Sequence, residues 1–185
     1  RKIILIKGYH HNVGRGLILV KGVQRIQESI QKLGFKVVVF GAHPIVIDYI
    51  KENKLPYEVF DRHGLAHHDL LQLIGKSAVY LGNSISDGMP NTLLEAIIMG
   101  AFPIQSNPGN VTAEIITEGE NGFLIENPND DNAISNLIIK VLQQPEWLQK
   151  AFEINQKIAK ERLDYVVNQQ KIVALYHQIE NDTCE

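Results

Sequence analysis

Residues 86–96 combine two carboxylates, Asp87 and Glu95, with the start of a helix. Asp87 and Gly88 form a flexible acidic corner, and Pro90 suits the first turn of a helix, where its missing N–H costs nothing. Glu95 then interrupts an otherwise apolar run, which is typical of a buried helix. A carboxylate in such a helix needs a hydrogen-bond donor, whereas the N–H groups of a helix start attract anions. The stretch therefore predicts a site for a phosphorylated, hydroxyl-bearing ligand, and a capped core helix with a satisfied Glu95 is the alternative.

Composition limits the class of protein. The chain has 185 residues, which suffices for one well-filled domain, and 44% hydrophobic with 21% charged residues is ordinary for a soluble protein. A net charge of -3 argues against a general nucleic-acid binder. The single cysteine, Cys184, excludes a disulfide framework within the chain and fits a cytoplasmic location. We found no apolar run of about 18 residues and no signal peptide. Because Lys2–Ile6 resembles a strand already under way, we expect a piece of a longer protein.

Hydrophobic periodicity predicts strands that alternate with helices. The predicted strands are 2–7, 37–40, 57–60, 78–81, 101–105 and 123–125. The predicted helices are 17–33, 44–54, 67–74, the key helix that starts at Pro90 and ends before Gly100, 111–117, 129–142, and 146–180 with a break near Asp164. This alternation favours an α/β fold, Rossmann-like and doubly wound, with a mostly parallel six-stranded sheet flanked by helices. Pro103 suggests that the fifth strand is irregular or lies at an edge.

The polar or glycine-rich loops each follow a strand. They are residues 8–16, 61–67, 82–90 and 105–110. In a doubly wound sheet, ligands bind beyond the carboxyl ends of the strands at the switch point, which strands one and four flank in the usual order. The loop 8–16 and the loop 82–90 are therefore expected to face each other across a cleft.

These residues also carry a family likeness. Asp87-x7-Glu95 resembles the E-x7-E signature of retaining GT-B glycosyltransferases of the group-1 (family 4) class, with Asp in place of the first Glu. The block Gly119-Glu120-Asn121-Gly122, which leads into the last strand, is similar to the segment after that signature. The likeness covers nearly the whole chain. It implies that residues 1–185 form the C-terminal, nucleotide-sugar-binding half of a GT-B enzyme, with the N-terminal acceptor domain absent and C-terminal helices at about 146–180.

The resemblance implies a role for each matching residue. Asp87 would lie against the donor sugar, and Glu95 would bind the ribose hydroxyls. The residues of the helix start would bind the sugar and diphosphate, through backbone N–H groups at every position except the proline; they are Gly88, Met89, Pro90, Asn91, Thr92 and Leu93. Gly8 belongs to the first loop of the same site. The nucleobase would lie near the turn 61–64, where contact by Arg62 or His63 competes with a plain turn.

The diphosphate also needs a cation, which the family supplies after the first strand. Tyr9 occupies the position where the family usually has Arg. Arg15 lies in the glycine-rich loop, and its planar guanidinium suits phosphate, so we predict Arg15 as the catalytic cation with Lys21 as the runner-up.

The resemblance implies no cofactor and no metal, although His10, His11, His67 and His68 fall in loops near the cleft. The partners of the protein would be a nucleotide-sugar donor, an acceptor and the N-terminal domain of the same chain. The acceptor would be either a lipid-linked molecule or a polysaccharide. The full-length enzyme could lie at the inner membrane surface. The complete enzyme would transfer a hexosyl-type sugar with retention, as in polysaccharide biosynthesis, and this piece alone would be inactive. A non-catalytic nucleotide-sugar-binding module and a nucleotide-sugar epimerase are the alternatives.

Overall fold

The computed structural model describes residues 1–182, with side chains described to residue 180, and Cys184 lies outside this range. Six parallel strands form one sheet in the order β3-β2-β1-β4-β5-β6. The strands are β1 (Ile3–Lys7), β2 (Lys36–Ala42), β3 (Glu58–Asp61), β4 (Val79–Gly82), β5 (Phe102–Ser106) and β6 (Phe123–Ile125). This architecture is the predicted Rossmann-like α/β fold, and β1 and β4 are neighbours at the switch point as expected.

Eight α-helices and three shorter helical turns connect and cover the described strands. The helices are α1 (Gly16–Arg25), α2 (Gln27–Lys32), α3 (Pro44–Glu52), α4 (His67–Lys76), α5 (Asn91–Met99), α6 (Asp131–Gln143), α7 (Pro145–Ile158) and α8 (Tyr165–Asp182). A π-helical turn (Ala159–Leu163) and the extended Asp164 separate α7 from α8, so the predicted break near Asp164 is confirmed.

The sheet separates two hydrophobic cores. On one face, Ile4 and Ile6 of β1 pack with apolar side chains of α1, α3 and α6, and Ile134 and Ile138 of α6 are fully buried there. On the other face, Leu5 packs with residues of α4 and α5. Successive side chains of a strand point to opposite faces of the sheet, so alternate residues of β1 belong to opposite cores.

Three local predictions were wrong. The helix predicted over 17–33 is two helices, because Ile26 departs from helical geometry between α1 and α2. In place of the helix predicted over 111–117 the structure has one 3-10 turn, Thr112–Glu114, and another 3-10 turn, Pro108–Asn110, precedes it. Pro103 lies in β5, an interior strand of the sheet. The N–H of Phe102 donates to the Ala78 carbonyl on the β4 side, so the backbone N of Pro103 faces β6, and the pairing of β5 with β6 begins only at Ile104. Its missing N–H therefore costs no ladder bond.

Within the described residues, no helix has both the length and the apolar character that crossing a membrane requires.

Candidate functional site

The loops that follow β1 and β4 are joined by backbone hydrogen bonds. The N–H of Arg15 donates to the Asn83 carbonyl at 3.0 Å, and that of Ile85 donates to the Val13 carbonyl at 2.9 Å. Gly14 and Ser84 form an isolated antiparallel bridge between them. The two richest loops of the sequence therefore lie against each other at the carboxyl ends of the parallel strands, where this fold class binds its ligands.

Helix α5 carries the second carboxylate of the signature. It begins at Asn91, one residue after Pro90, and it is anchored near its start by the Tyr80 hydroxyl, which donates to Thr92 Oγ1 at 3.0 Å. Burial raises the pKa of Tyr80 well above its usual value, so the phenol stays a donor. The helix is buried less completely than its sequence predicts, since Ile98 is 45% exposed.

Glu95 is partly buried, and its two carboxylate oxygens differ. Oε1 lies 2.7 Å from Nε2 of His67, the first residue of α4. Oε2 is buried and has no hydrogen-bond partner among the described residues. The sequence predicted that Glu95 needs a donor but did not pair it with His67, because the two residues are 28 positions apart. What remains is one carboxylate oxygen that can accept a hydrogen bond from a hydroxyl.

Asp87 lies at the rim of a small cavity between β1 and β4. The cavity has a volume of about 160 Å³ and includes Tyr9, Ser86 and Asp87 in its lining. The remaining lining residues are Lys7, Val13, Asn83, Ser84 and Gln105. Asn83 and Ser84 belong to the loop 82–90 that the sequence places at the cleft, whereas Lys7 and Gln105 were not among the predicted site residues. Their positions at the carboxyl ends of β1 and β5 were the available signal.

The helix start offers fewer free donors than predicted. The N–H of Leu93 donates to the Pro90 carbonyl at 3.0 Å, so this group is used within the helix. Gly88 has open space around its α-carbon, which leaves the corner before the helix accessible. The remaining predicted positions of this segment, from Met89 to Thr92, directly precede or begin α5.

The predicted cations lie apart from Asp87. The Arg15 guanidinium donates to the carbonyls of Asn12 and Gly14 and to Asn129 Oδ1, at 2.9 to 3.0 Å. Arg15 lines a separate, more open cavity of about 500 Å³ that His10, His11 and His43 also line. The Lys21 ammonium lies 5.5 Å from the centre of the Tyr49 ring, on the side of α1 that faces α3.

The remaining predicted residues have local structural roles as well. A Cβ at Gly8 would lie 2.7 Å from Val39 Cγ1, so glycine permits β1 to leave the sheet beside β2. The backbone of His63 donates to Asp61 Oδ1 at 2.9 Å in an exposed turn that leads to His67. His10 Nδ1 accepts from the N–H of Leu17 at 3.2 Å, and burial, followed by the positive charge of Arg15, lowers the pKa of His10.

The described residues include no group of three or more His, Cys, Asp or Glu side chains placed to hold a metal ion. The four histidines make other contacts. His10 accepts from the N–H of Leu17 and His11 stacks against His43, while His67 pairs with Glu95 and His68 contacts Gln72 at 2.9 Å. That the protein needs no metal stays a prediction.

A profile of the family described as glycosyl transferases group 1 matches residues 12–177. No match was found among curated proteins. Solved structures with the same fold include the C-terminal domain of a group 1 glycosyl transferase (LpcC) from Francisella tularensis, with a TM-score of 0.74 and 17% identity, covering 89% of this chain and 87% of that one. Anabaena HepE in complex with UDP has a TM-score of 0.74 and 19% identity. The pneumococcal O-GlcNAc transferase GtfA in complex with UDP and GlcNAc has a TM-score of 0.74 and 20% identity.

The fold and the two-loop cleft define a Rossmann-like domain of the GT-B type, as in these structures. By its sequence, the chain belongs to the group 1 glycosyl transferases. The comparisons cover 95% of this chain in both UDP complexes, but only 48% of the Anabaena chain and 35% of the pneumococcal chain.

Proposed function

We propose that this chain is the nucleotide-sugar-binding half of a retaining glycosyltransferase. The complete enzyme transfers a hexosyl-type sugar from a nucleoside diphosphate donor to an acceptor that another domain binds. Two of the structural neighbours hold UDP, which supports a nucleotide ligand at the carboxyl end of this sheet. Catalysis consists of positioning the donor and stabilising the diphosphate as it leaves. Since the acceptor domain is separate, residues 1–185 alone bind the donor without turning it over.

The observation that carries the proposal is the asymmetry of Glu95. Its Oε1 is held by His67, whereas its buried Oε2 lacks a partner among the described groups. A buried acceptor without a donor is costly, on the order of 1–3 kcal/mol. The vicinal hydroxyls of a ribose are donors, and they match this oxygen. The turn 61–64, which leads into α4, then lies on the side where the base extends, and Asp87 lies on the side of the sugar.

Thermal-shift measurements with UDP, GDP and ADP test the proposal. A nucleotide at 100 times its dissociation constant stabilises the chain by about 2.7 kcal/mol. Glu95→Gln lowers the affinity for that nucleotide by about tenfold, since a hydrogen bond to a charged group contributes roughly 1.5 kcal/mol or more. Glu28→Gln, at an exposed position of α2, is the matched control and leaves the affinity unchanged. Absence of binding to all three nucleotides at millimolar concentration would overturn the proposal.

A second candidate is a nucleotide-sugar-binding module without catalysis. The contacts of Arg15 favour it, because three of the five N–H donors of this guanidinium are already used within the protein, and Tyr9 stands where the family has Arg. Asp87→Ala in a chain that carries both halves separates the candidates. An enzyme loses transfer activity, whereas a binding module has no transfer activity to lose and retains its nucleotide affinity.

A further inference from the structure

The cavity of about 500 Å³ that Arg15 lines lies between the loop 8–16 and the start of α3. Its lining includes three imidazoles and one guanidinium, those of His10, His11, His43 and Arg15, and we call it the histidine cavity. The sheet order β2-β1-β4 puts the start of α3, which follows β2, on one side of β1. Asp87 and Glu95, which follow β4, lie on the other side. A ligand of the histidine cavity is thus separated by the β1 loop from a ligand of the two carboxylates.

Two of the imidazoles are held in one protonation pattern by the helices that begin beside them. His10 Nδ1 accepts from the N–H of Leu17 in the first turn of α1 at 3.2 Å, and His43 Nδ1 accepts from the N–H of Ile45 in α3 at 3.4 Å. A ring nitrogen that accepts carries no proton, so the proton of each neutral ring is on Nε2. Each ring therefore keeps one N–H donor that no described group of the protein uses.

Arg15 and His11 add further donors to the same cavity. The three hydrogen bonds of the Arg15 guanidinium come from Nε and Nη1, which leaves both N–H groups of Nη2 for a ligand. The His11 ring stacks on His43, with the ring centres 5.8 Å apart and the ring planes at 7°. The three histidines belong to no group of described residues that is placed to hold a metal ion. The lining thus offers N–H donors from several side chains at once.

The charges at the histidine cavity have one sign. Burial lowers the pKa of His10 first. Nearby cationic side chains lower this pKa further, and they belong to Arg15, His43 and Lys21. Among the described residues that line the cavity, none has a carboxylate. The acids nearest to it in sequence are used elsewhere, since Asp130 caps the start of α6 and Asp131 pairs with Arg25 at 2.9 Å. An anion in the cavity therefore meets donors and positive charge.

A phosphate group fits this lining. Its oxygens are acceptors, and the hydrogen bonds that a guanidinium donates to phosphate are of the strong, charge-assisted kind. A sugar hydroxyl fits less well because it also donates, and three acceptors of the lining are already used: His10 Nδ1, His43 Nδ1 and Asn129 Oδ1. The cavity has an apolar wall as well, formed by Ile18 and by Ile45, which is 46% exposed. A phosphate ester with an apolar chain can cover this wall.

We propose that the histidine cavity is a subsite for a phosphate group other than the diphosphate of the donor. The phosphate oxygens accept from the Nε2–H groups of His10 and His43 and from the two N–H groups of Arg15 Nη2. The source is either a phosphorylated acceptor, whose apolar part lies on Ile45, or free inorganic phosphate. The inference rests on the proposed function only in treating the phosphorylated molecule as an acceptor.

Titrations of this chain with inorganic phosphate and with hexyl phosphate test the subsite and separate the two sources. Calorimetry gives the affinities, and the imidazole NMR signals of His10, His11 and His43 locate the binding. Tighter binding of hexyl phosphate at these signals identifies a phosphorylated acceptor, whereas equal or weaker binding than inorganic phosphate identifies the free ion. If neither probe shifts these signals at millimolar concentration, the subsite is overturned.

His43→Asn removes an imidazole donor from the cavity, and Asn remains a good N-cap for α3. We expect this variant to lower the affinity for the tighter phosphate probe by about threefold to tenfold, as for the loss of one hydrogen bond. His68→Asn, at an exposed position of α4, is the matched control and leaves the affinity unchanged. Should His43→Asn fail to fold, which circular dichroism shows, His11→Asn at an exposed position is the second variant, with the same expectation. Equal affinity of the folded variant and the parent chain would overturn the subsite.

The subsite and the proposed function fail in different ways. UDP is added to the chain after saturation with the phosphate probe, and we expect both to bind together. Displacement of the probe by UDP would show that the histidine cavity takes the diphosphate of the donor, which overturns the subsite and leaves the proposed function standing. A phosphate probe that binds at the histidine signals of a chain to which UDP, GDP and ADP do not bind supports the subsite and overturns the proposed function.

Discussion

Glu95 shows how one residue can serve both the fold and a ligand. Its contact with His67 joins the start of α4 to the middle of α5, and the partly buried position of Glu95 leaves the second oxygen inside the protein. An imidazole donor orients a carboxylate without filling both of its oxygens. His67 is therefore a positioning residue for the nucleoside in the proposed function.

Replacing His67 tests this arrangement. We expect His67→Ala to weaken nucleotide binding by about threefold to tenfold, because Glu95 loses the bond that orients it, and we expect His67→Gln, which retains an N–H donor, to recover most of the affinity. Isothermal titration with the nucleotide that binds best measures both. Tighter binding by His67→Ala would contradict the expectation and would show that the imidazole competes with the ligand.

His10 predicts a pH dependence of stability. Burial lowers its pKa from the ordinary value of 6.5, and Nδ1 must be unprotonated to accept from Leu17. The folded state therefore binds fewer protons at this site than the unfolded state, so the free energy of unfolding falls as the pH drops below about 6.5. We expect a smaller loss between pH 7.5 and 5.5 in His10→Gln than in the parent chain. Chemical denaturation measures it, with the exposed His63→Gln as control; an unchanged pH dependence in His10→Gln would contradict it.

At the scale of elements, the end of α5 depends on a left-handed glycine. Gly100 has φ +77°, and a Cβ there would lie 2.5 Å from the Phe152 ring of α7. The bond from the Ala101 N–H to the Ala96 carbonyl, at 2.9 Å, turns the chain directly into β5. This geometry ends the helix within one residue and positions α7 against it.

Gly100→Ala should lower the free energy of unfolding by about 2 kcal/mol or more, since the left-handed conformation alone costs an L-residue roughly 1–2 kcal/mol. Gly88→Ala is the control, because an added Cβ there meets open space. Urea denaturation compares the two variants. Equal stability of Gly100→Ala and the parent chain would show that α5 and α7 adjust without cost.

At the scale of the whole molecule, the motif around Asn121 ties the C-terminal helices to the sheet domain. Asn121 is fully buried, its Nδ2 donates to Asn155 Oδ1 of α7 at 2.9 Å, and Asn155 Nδ2 returns a bond to the Asn121 carbonyl at 3.0 Å. Asn121 Oδ1 accepts from the Thr117 N–H at 2.7 Å. The block that resembled a family signature thus holds the turn before β6 and α7 together.

Asn155→Ala removes the bond to the buried Asn121 carbonyl and one of the two bonds that Asn121 Nδ2 donates, while its bond to the Ile115 carbonyl remains. Two lost buried bonds cost on the order of 2–4 kcal/mol. Asn168→Ala is the control, because it removes an amide of α8 whose hydrogen bond to the Arg162 carbonyl is exposed, and we expect little effect on the melting temperature. Thermal unfolding followed by circular dichroism measures both, and the Trp147 fluorescence reports on α7. Equal melting temperatures for the two variants would contradict a structural role for the Asn121–Asn155 pair.

Much of the fold could be predicted because the signals are local. The strand runs, the helix periodicity and Gly100 each depend on residues close in sequence, and the doubly wound order followed from the alternation of strands and helices. The bend at Ile26 and the interior place of Pro103 could not be predicted in this way, because both depend on which strand or helix lies alongside.

The sequence by itself determined the α/β class, the loops that meet at the switch point, and the two carboxylates of the signature, since strand and helix patterns and motif spacing are properties of the chain alone. Only the tertiary structure decided which groups share a cavity. It paired Glu95 with His67, separated Arg15 and Lys21 from Asp87, and brought Lys7 and Gln105 into one cavity. Strand order and register place residues from distant parts of the chain side by side, because long crossover connections separate neighbouring strands of a parallel sheet.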